Sequence, residues 1–224
     1  MIAVPAASQS TQAPVWLAPL ASGNQTILSK PLHSWKDMKF NGLVRQRTDF
    51  SCGAAVLATV FNEAYGKHTT EEQVLVNMLK IADPAVVKEK GFSLLDMKKY
   101  VSEVGFAAEG YKVNFDALHH LKVPGIVLLD LKGYHHFVVV RKVTGNLVQL
   151  GDPALGNRLM TKGDFERAWN NVVFVIVGDS LDPNNTLSNP PPPLSARRLF
   201  EQRSPVWDAD LMDFGLTTVN TLRF

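Results

Sequence analysis

The stretch Gln46-Arg47-Thr48-Asp49-Phe50-Ser51-Cys52-Gly53 carries the chain's only cysteine and stands where a loop gives way to a helix. Residues 53–65, GAAVLATVFNEAY, are apolar on nearly every face, the pattern of a helix buried in a core. Gly66 supplies a C-terminal stop. Cys52 is therefore expected in the first turn of a buried helix, where free backbone N–H groups and the positive end of the dipole act together. Both favour thiolate over thiol, and the thiolate is the nucleophile. A backbone N–H at such a helix start can also stabilise an oxyanion. Taken alone, the same residue also reads as a buried structural cysteine, because free Cys is among the most buried residue types.

Composition narrows the classes. With 224 residues, 46% hydrophobic and 20% charged, the chain suits one globular domain with room for tails. The net charge of +2 implies no polyanion partner, so nucleic acid is not expected. The longest apolar runs, IVLLDL and FVVV, are far too short to span a bilayer. No apolar h-region follows Met1, so no intact signal peptide is read there, and MIAVPAAS resembles the stub left after one is removed. One cysteine excludes an internal disulfide and a multi-cysteine zinc site, and leaves the redox compartment open. No cofactor is implied.

Outward from Cys52 the chain divides into a helical half and a β half. Residues 1–30, rich in Ala, Ser, Gln and Pro, read as a loosely ordered arm. Trp35, Met38 and Phe40 begin the packed domain, 31–179. Thr70-Glu71-Glu72-Gln73 is a capping box that opens a helix through about Ile81. Ser93 caps a third helix, with Leu94, Leu95, Met97, Val101 and Val104 as its apolar positions and Gly105 as its stop. FAAEGYKV reads as a short strand and FDALHHL as a helical turn.

From Pro124 the period changes to that of strands. GIVLLDL, HHFVVVRKV and NLVQLGD are β-rich runs joined by Lys132-Gly133 and Thr144-Gly145-Asn146. Such short connections imply antiparallel neighbours. GDFERAW is a short helix and NVVFVIVG a closing strand. Helices first and strands second is an α+β pattern, with the Cys helix packed on an antiparallel sheet. Beyond Ser180, in 180–224, DPNNTLSNPPPPLSARR reads as a Pro-rich spacer. Leu199, Phe200, Val206, Trp207, Leu211, Met212, Phe214 and Leu216 follow it, and some of these are expected to bury against the domain or a partner.

A cysteine nucleophile needs a base within hydrogen-bond reach, and the base needs an orienting acceptor. His135 and His136 open a strong β-run, and Asp152 ends the strand that returns beside it. Adjacent strand residues face opposite ways, so only one of the two histidines can meet Asp152. The same rule weakens a metal reading of the pair. His119 and His120 lack such a partner and read as surface or packing residues. A His and an Asp at strand ends are in general more often incidental than catalytic.

These residues together resemble the C39 family of papain-like cysteine peptidases, which includes the leader-cleaving domains of bacteriocin exporters. The family's Q-x5-C-G-x-A pattern is filled by Gln46, Cys52, Gly53 and Ala55. A His before an aromatic and a valine run matches His136-Phe137-Val138-Val139-Val140, and Asp152-Pro153 follows at the family's sixteen-residue spacing. DFERAW resembles the family's final helix, and the likeness covers about residues 40–178. Ser51 departs from it, since an Asp commonly precedes the cysteine. The resemblance implies a papain-like fold and assigns roles: Cys52 as nucleophile, His136 as base, Asp152 as its orienter, and the Gln46 side chain with the Cys52 N–H as oxyanion donors. The tails and motif wording are most similar to the stand-alone C39-like subgroup encoded with functional amyloid secretion in pseudomonads. That likeness implies a periplasmic location and protein or peptide substrates, among them amyloid subunits or outer-membrane secretion components.

Three functions compete at this point. The first is a cysteine endopeptidase cutting an extended protein segment. The second is a binding or chaperone module built on a peptidase fold, although degenerate domains of that kind have lost the nucleophile. The third is acyl transfer by the same triad, which differs only in the second acceptor.

Overall fold

Helix α2 (Cys52–Tyr65) lies at the centre of the fold, and of its residues only Asn62 and Glu63 are not fully buried. The structure, a computed structural model, describes residues 14–16, 29–31 and 35–190. Burial of Leu57, Val60 and Phe61 contributes about 1.5–3 kcal/mol each. The helix ends as its sequence requires: Gly66 takes the left-handed conformation at φ 61°, and its N–H donates to the Phe61 carbonyl.

Around α2 the helices begin with local side-chain caps. A short α1 (Trp35–Lys39) precedes it. In α3 (Glu71–Ile81) the Thr70–Gln73 capping box is formed in both directions. Helix α4 (Pro84–Lys90) has too few residues to show a period, and Asp83 starts it by accepting from the Ala85 N–H. In α5 (Leu94–Glu103) Ser93 and Asp96 form a second box. Its buried positions are Met97, Tyr100 and Val101, whereas Leu95 and Val104 are exposed. The expected apolar set was therefore off: Tyr100 shares the i, i+3, i+4 stripe with Met97 and Val101, and Leu95 falls outside it.

Six strands then form one antiparallel sheet: β3 (Ala107–Lys112), β4 (Gly125–Leu131), β5 (Tyr134–Thr144), β6 (Leu147–Asp152), β7 (Gly156–Thr161) and β8 (Trp169–Val177). Their order is β3-β8-β4-β5-β6-β7. Alternate residues serve two cores. Ile126, Phe137, Val139, Phe174 and Ile176 pack with α2. Val127, Leu129, Val138, Val140, Val148 and Leu150 pack with Phe165 of α6 (Lys162–Ala168) and with Trp169. The result is the expected α+β arrangement, a papain-like fold with the Cys helix against an antiparallel sheet.

Strand β7 was not foreseen, because Gly156-Asn157-Arg158-Leu159-Met160-Thr161 shows no alternation of apolar and polar residues. Gly156 sits at φ 80°, and a Cβ there would come 2.6 Å from the Lys39 carbonyl, so only glycine fits. A small ladder, β1 (Pro14–Trp16) with β2 (Ser29–Pro31), lies in the N-terminal stretch. Beyond β8 the chain packs back on the domain. The Asp182 N–H donates to the Ala64 carbonyl at 2.8 Å, Leu187 is fully buried with the α2 core, and the Arg141 guanidinium donates to the Thr186 carbonyl at 2.8 Å. The apolar residues from Leu199 to Leu216 lie outside the described residues.

Candidate active site

The segment before α2 is fastened at several points. The Val44 N–H donates to Thr59 Oγ1 at 2.9 Å, the Gln46 N–H to the Pro153 carbonyl at 3.0 Å, and the Arg47 N–H to Oε1 of the buried Glu71 at 2.9 Å. Ser51 is fully buried. Its hydroxyl donates to the Thr48 carbonyl at 2.9 Å and accepts from the Thr48 N–H at 3.2 Å, closing the loop on itself. It makes no side-chain cap to α2, and no acidic residue lies in that helix's first turn. The N–H groups beside Cys52 are thus free of side-chain acceptors from the cap position. A cavity of about 580 Å³ opens along this segment, between Arg45–Arg47 and Thr69–Glu72.

The sheet brings His136 and Asp152 together. In the ladder between β5 and β6, Val139 pairs with Gly151. Asp152 therefore comes opposite Val138, and His136 is its diagonal neighbour on the same face. His136 Nε2 lies 2.8 Å from Asp152 Oδ1, with His136 2% exposed and Asp152 wholly buried. His135 points to solvent. The other ring nitrogen, Nδ1, is buried without a formed hydrogen bond, and the Cys52 thiol is close enough to act on the ring's ionisation. Burial by itself would lower the imidazole pKa. The hydrogen bond to Asp152 and the nearness of the Cys52 thiol, with the charges of both, outweigh it and raise the value to about 9. Burial would likewise raise Asp152, but His136, the Leu155 N–H and Arg158 bring it down to about 2.

Of the four sequence-predicted residues, Cys52, His136 and Asp152 converge. Gln46 lies on the fastened loop, its Nε2 making a long 3.3 Å bond to the Thr48 carbonyl while Oε1 is buried without a partner. His119 and His120 are exposed, as read, and His119 makes an edge contact with Phe115. Among the described residues no cluster of His, Cys, Asp and Glu could hold a metal ion, and no helix is long and apolar enough to cross a membrane.

Two residues escaped the sequence reading. Tyr134 stacks on the His136 ring, with centroids 5.8 Å apart, and its hydroxyl donates to the Asp49 carbonyl at 2.7 Å. Burial raises its pKa, and so do the charges of Cys52, Asp49 and Asp152, while the Gln46 side chain opposes them. Every component of the site therefore lies near this one phenol. Its position two residues before His136, on the same strand face, was the available signal. Arg158 contacts Asp152 from β7, and no signal existed because that strand was not legible.

Helices on one side, a sheet on the other and a thiol at their junction are the papain-like plan, and the chain is a cysteine peptidase. Residues 41–180 match the family described as the Peptidase C39 family, and the chain belongs to it. It is 45% identical over 189 residues to a "Probable functional amyloid protease FapD" of Pseudomonas aeruginosa, with 84% of each chain covered. It is 44% identical to a protein of the same description from Pseudomonas fluorescens, again with 84% of each covered. Among solved structures it resembles a double glycine motif protease from an AMS/PCAT transporter, at 27% identity and a TM-score of 0.51, covering 60% of this chain and 89% of that one. As a family member it acts on protein or peptide substrates.

Proposed function

We propose that this peptidase processes proteins of a functional amyloid secretion system in the periplasm, with Cys52 as nucleophile, His136 as base, Asp152 as orienter and Gln46 as oxyanion donor. The observation that carries the residue assignment is the 2.8 Å bond from His136 Nε2 to Asp152 Oδ1. It commits Nε2–H to the carboxylate and leaves Nδ1 for the thiol proton. Nδ1 takes that proton before the attack, giving a thiolate–imidazolium pair. Sγ then attacks the scissile carbonyl, and the ring passes the proton to the leaving amine as the C–N bond breaks. Water hydrolyses the thioester in the second step, with the same ring as base. The oxyanion of each step is received by the Cys52 N–H and by Gln46 Nε2. A charge-assisted bond displaces the long contact to Thr48.

The amyloid assignment rests on the two relatives described as probable functional amyloid proteases, which this chain matches over most of its length. Its substrates are then the amyloid system's own subunits or outer-membrane components. The test incubates the purified protein, and its Cys52→Ala variant, with those candidates and reads the products by mass spectrometry. Cuts made by the wild type and not by the variant support the proposal. Intact candidates in both would remove the amyloid assignment while leaving the peptidase chemistry to be tested on generic unfolded chains.

A further inference from the structure

Asp152 divides its two carboxylate oxygens between different partners. Oδ1 accepts from His136 Nε2 and from the N–H groups of Ala154 and Leu155, each at 2.8–2.9 Å. Oδ2 accepts from Arg158 Nε at 2.9 Å. Arg158 stands on β7 opposite Leu150 of β6, so the sheet itself delivers it. Its side chain is 24% exposed, and Asp152 is wholly buried. The rest of the guanidinium finds little else: one terminal nitrogen lies 3.8 Å from Met160 Sδ, and the other is buried without a hydrogen bond. A largely buried cation placed so is spent on the carboxylate that holds His136, not on a surface staple.

We infer that Arg158 is a positioning residue of the peptidase, which fixes the outer oxygen of Asp152 and offsets part of that carboxylate's charge at the His136 ring. The inference rests on the reading of Asp152 as the orienter. An uncompensated carboxylate, 2.8 Å from the ring, would hold the imidazolium more tightly. The ring must give its proton to a leaving amine, so an imidazolium held too tightly is a poorer acid. Arg158 moderates it. The other groups facing the ring are Cys52 from α2 and Tyr134 from the same strand, with Asp49 acting on Tyr134 from the preceding loop.

The single cysteine gives a direct probe. Iodoacetamide alkylation of the full chain, followed by intact mass, is measured against pH for wild type, Arg158→Gln, Arg158→Lys and Asp152→Asn, each checked by melting. Arg158→Gln should move the alkaline inflection upward by roughly one pH unit. Arg158→Lys keeps the charge and should stay near wild type. Asp152→Asn should lower the inflection. An unmoved Asp152→Asn curve would refute the orienter reading itself. A lowered Asp152→Asn curve beside an unmoved or lowered Arg158→Gln curve overturns the role of Arg158 alone. An Arg158→Lys curve that matches Arg158→Gln does the same. Should Arg158→Gln not fold, Arg158→Met, which keeps the apolar stem, is read by the same criteria.

Discussion

The Gln46 backbone N–H donates to the Pro153 carbonyl at 3.0 Å. One bond thus ties the loop that ends in Cys52 to the residue that follows Asp152. Gln46 and Asp152, to which the proposed mechanism gives the oxyanion and orienting roles, are thereby held in mutual register by main chain.

Gln46→Ala should therefore keep the fold, because it leaves that main-chain bond and the Arg47–Glu71 contact in place. Losing the proposed oxyanion donor should lower kcat roughly a hundredfold to a thousandfold. Kinetics on an identified substrate, with melting curves alongside, check this. An unchanged kcat would remove Gln46 from the mechanism.

Cys52→Ala should abolish turnover with little loss of fold, since the chain has no second thiol. Residual proteolysis at the wild-type rate in the purified variant would end the assignment of Cys52 as nucleophile.

His136→Ala should reduce turnover by about a hundredfold or more and slow alkylation of Cys52 near neutral pH. His135→Ala, at an exposed position, should behave as wild type. The opposite result would mean that His135 and not His136 serves Asp152.

Stability should depend on pH through the same pair. His136 is raised from its ordinary 6.5 to about 9, so its contribution is complete below pH 6.5 and is lost as pH rises through 9. Asp152 is lowered from 3.8 to about 2, so its contribution is complete above pH 3.8 and is lost as pH falls through 2. Both are present together between those limits, from 3.8 to 6.5. Urea midpoints measured across pH should form a plateau there, and His136→Ala should flatten the alkaline slope.

Gly156→Ala should destabilise the fold by about 2 kcal/mol or more, because a Cβ at φ 80° meets the Lys39 carbonyl at 2.6 Å. Gly156 pairs with Asp152, so the strain reaches the site and turnover should fall as well. A variant of wild-type stability in denaturant titration would contradict the packing of β7 against α1.

Much of this was legible in local sequence, because local forces decide it. An apolar run with a glycine stop makes α2, a Thr-x-x-Gln box starts α3, and two-residue turns make β4, β5 and β6 an antiparallel meander. These place Cys52 at a helix start and a histidine beside Asp152. What the residues alone could not decide is which histidine. Counted without interruption from the Thr144–Leu147 pair, Asp152 would fall opposite Val139, and His135 would share its face. The ladder instead carries one extra residue, Arg141, between the Val140–Leu150 and Lys142–Gln149 pairs. That bulge moves Asp152 opposite Val138 and turns His136 to it. Resemblance to the family named His136, but the physical cause is tertiary. The buried Arg141 guanidinium is held by the carbonyls of Asn41 and Thr186 and by the Asn157 side chain. Those partners come from segments far apart in the chain, and no local pattern announces their meeting. Arg158 is the same case: its strand has no period of its own, and only its pairing with β6 carries it to Asp152.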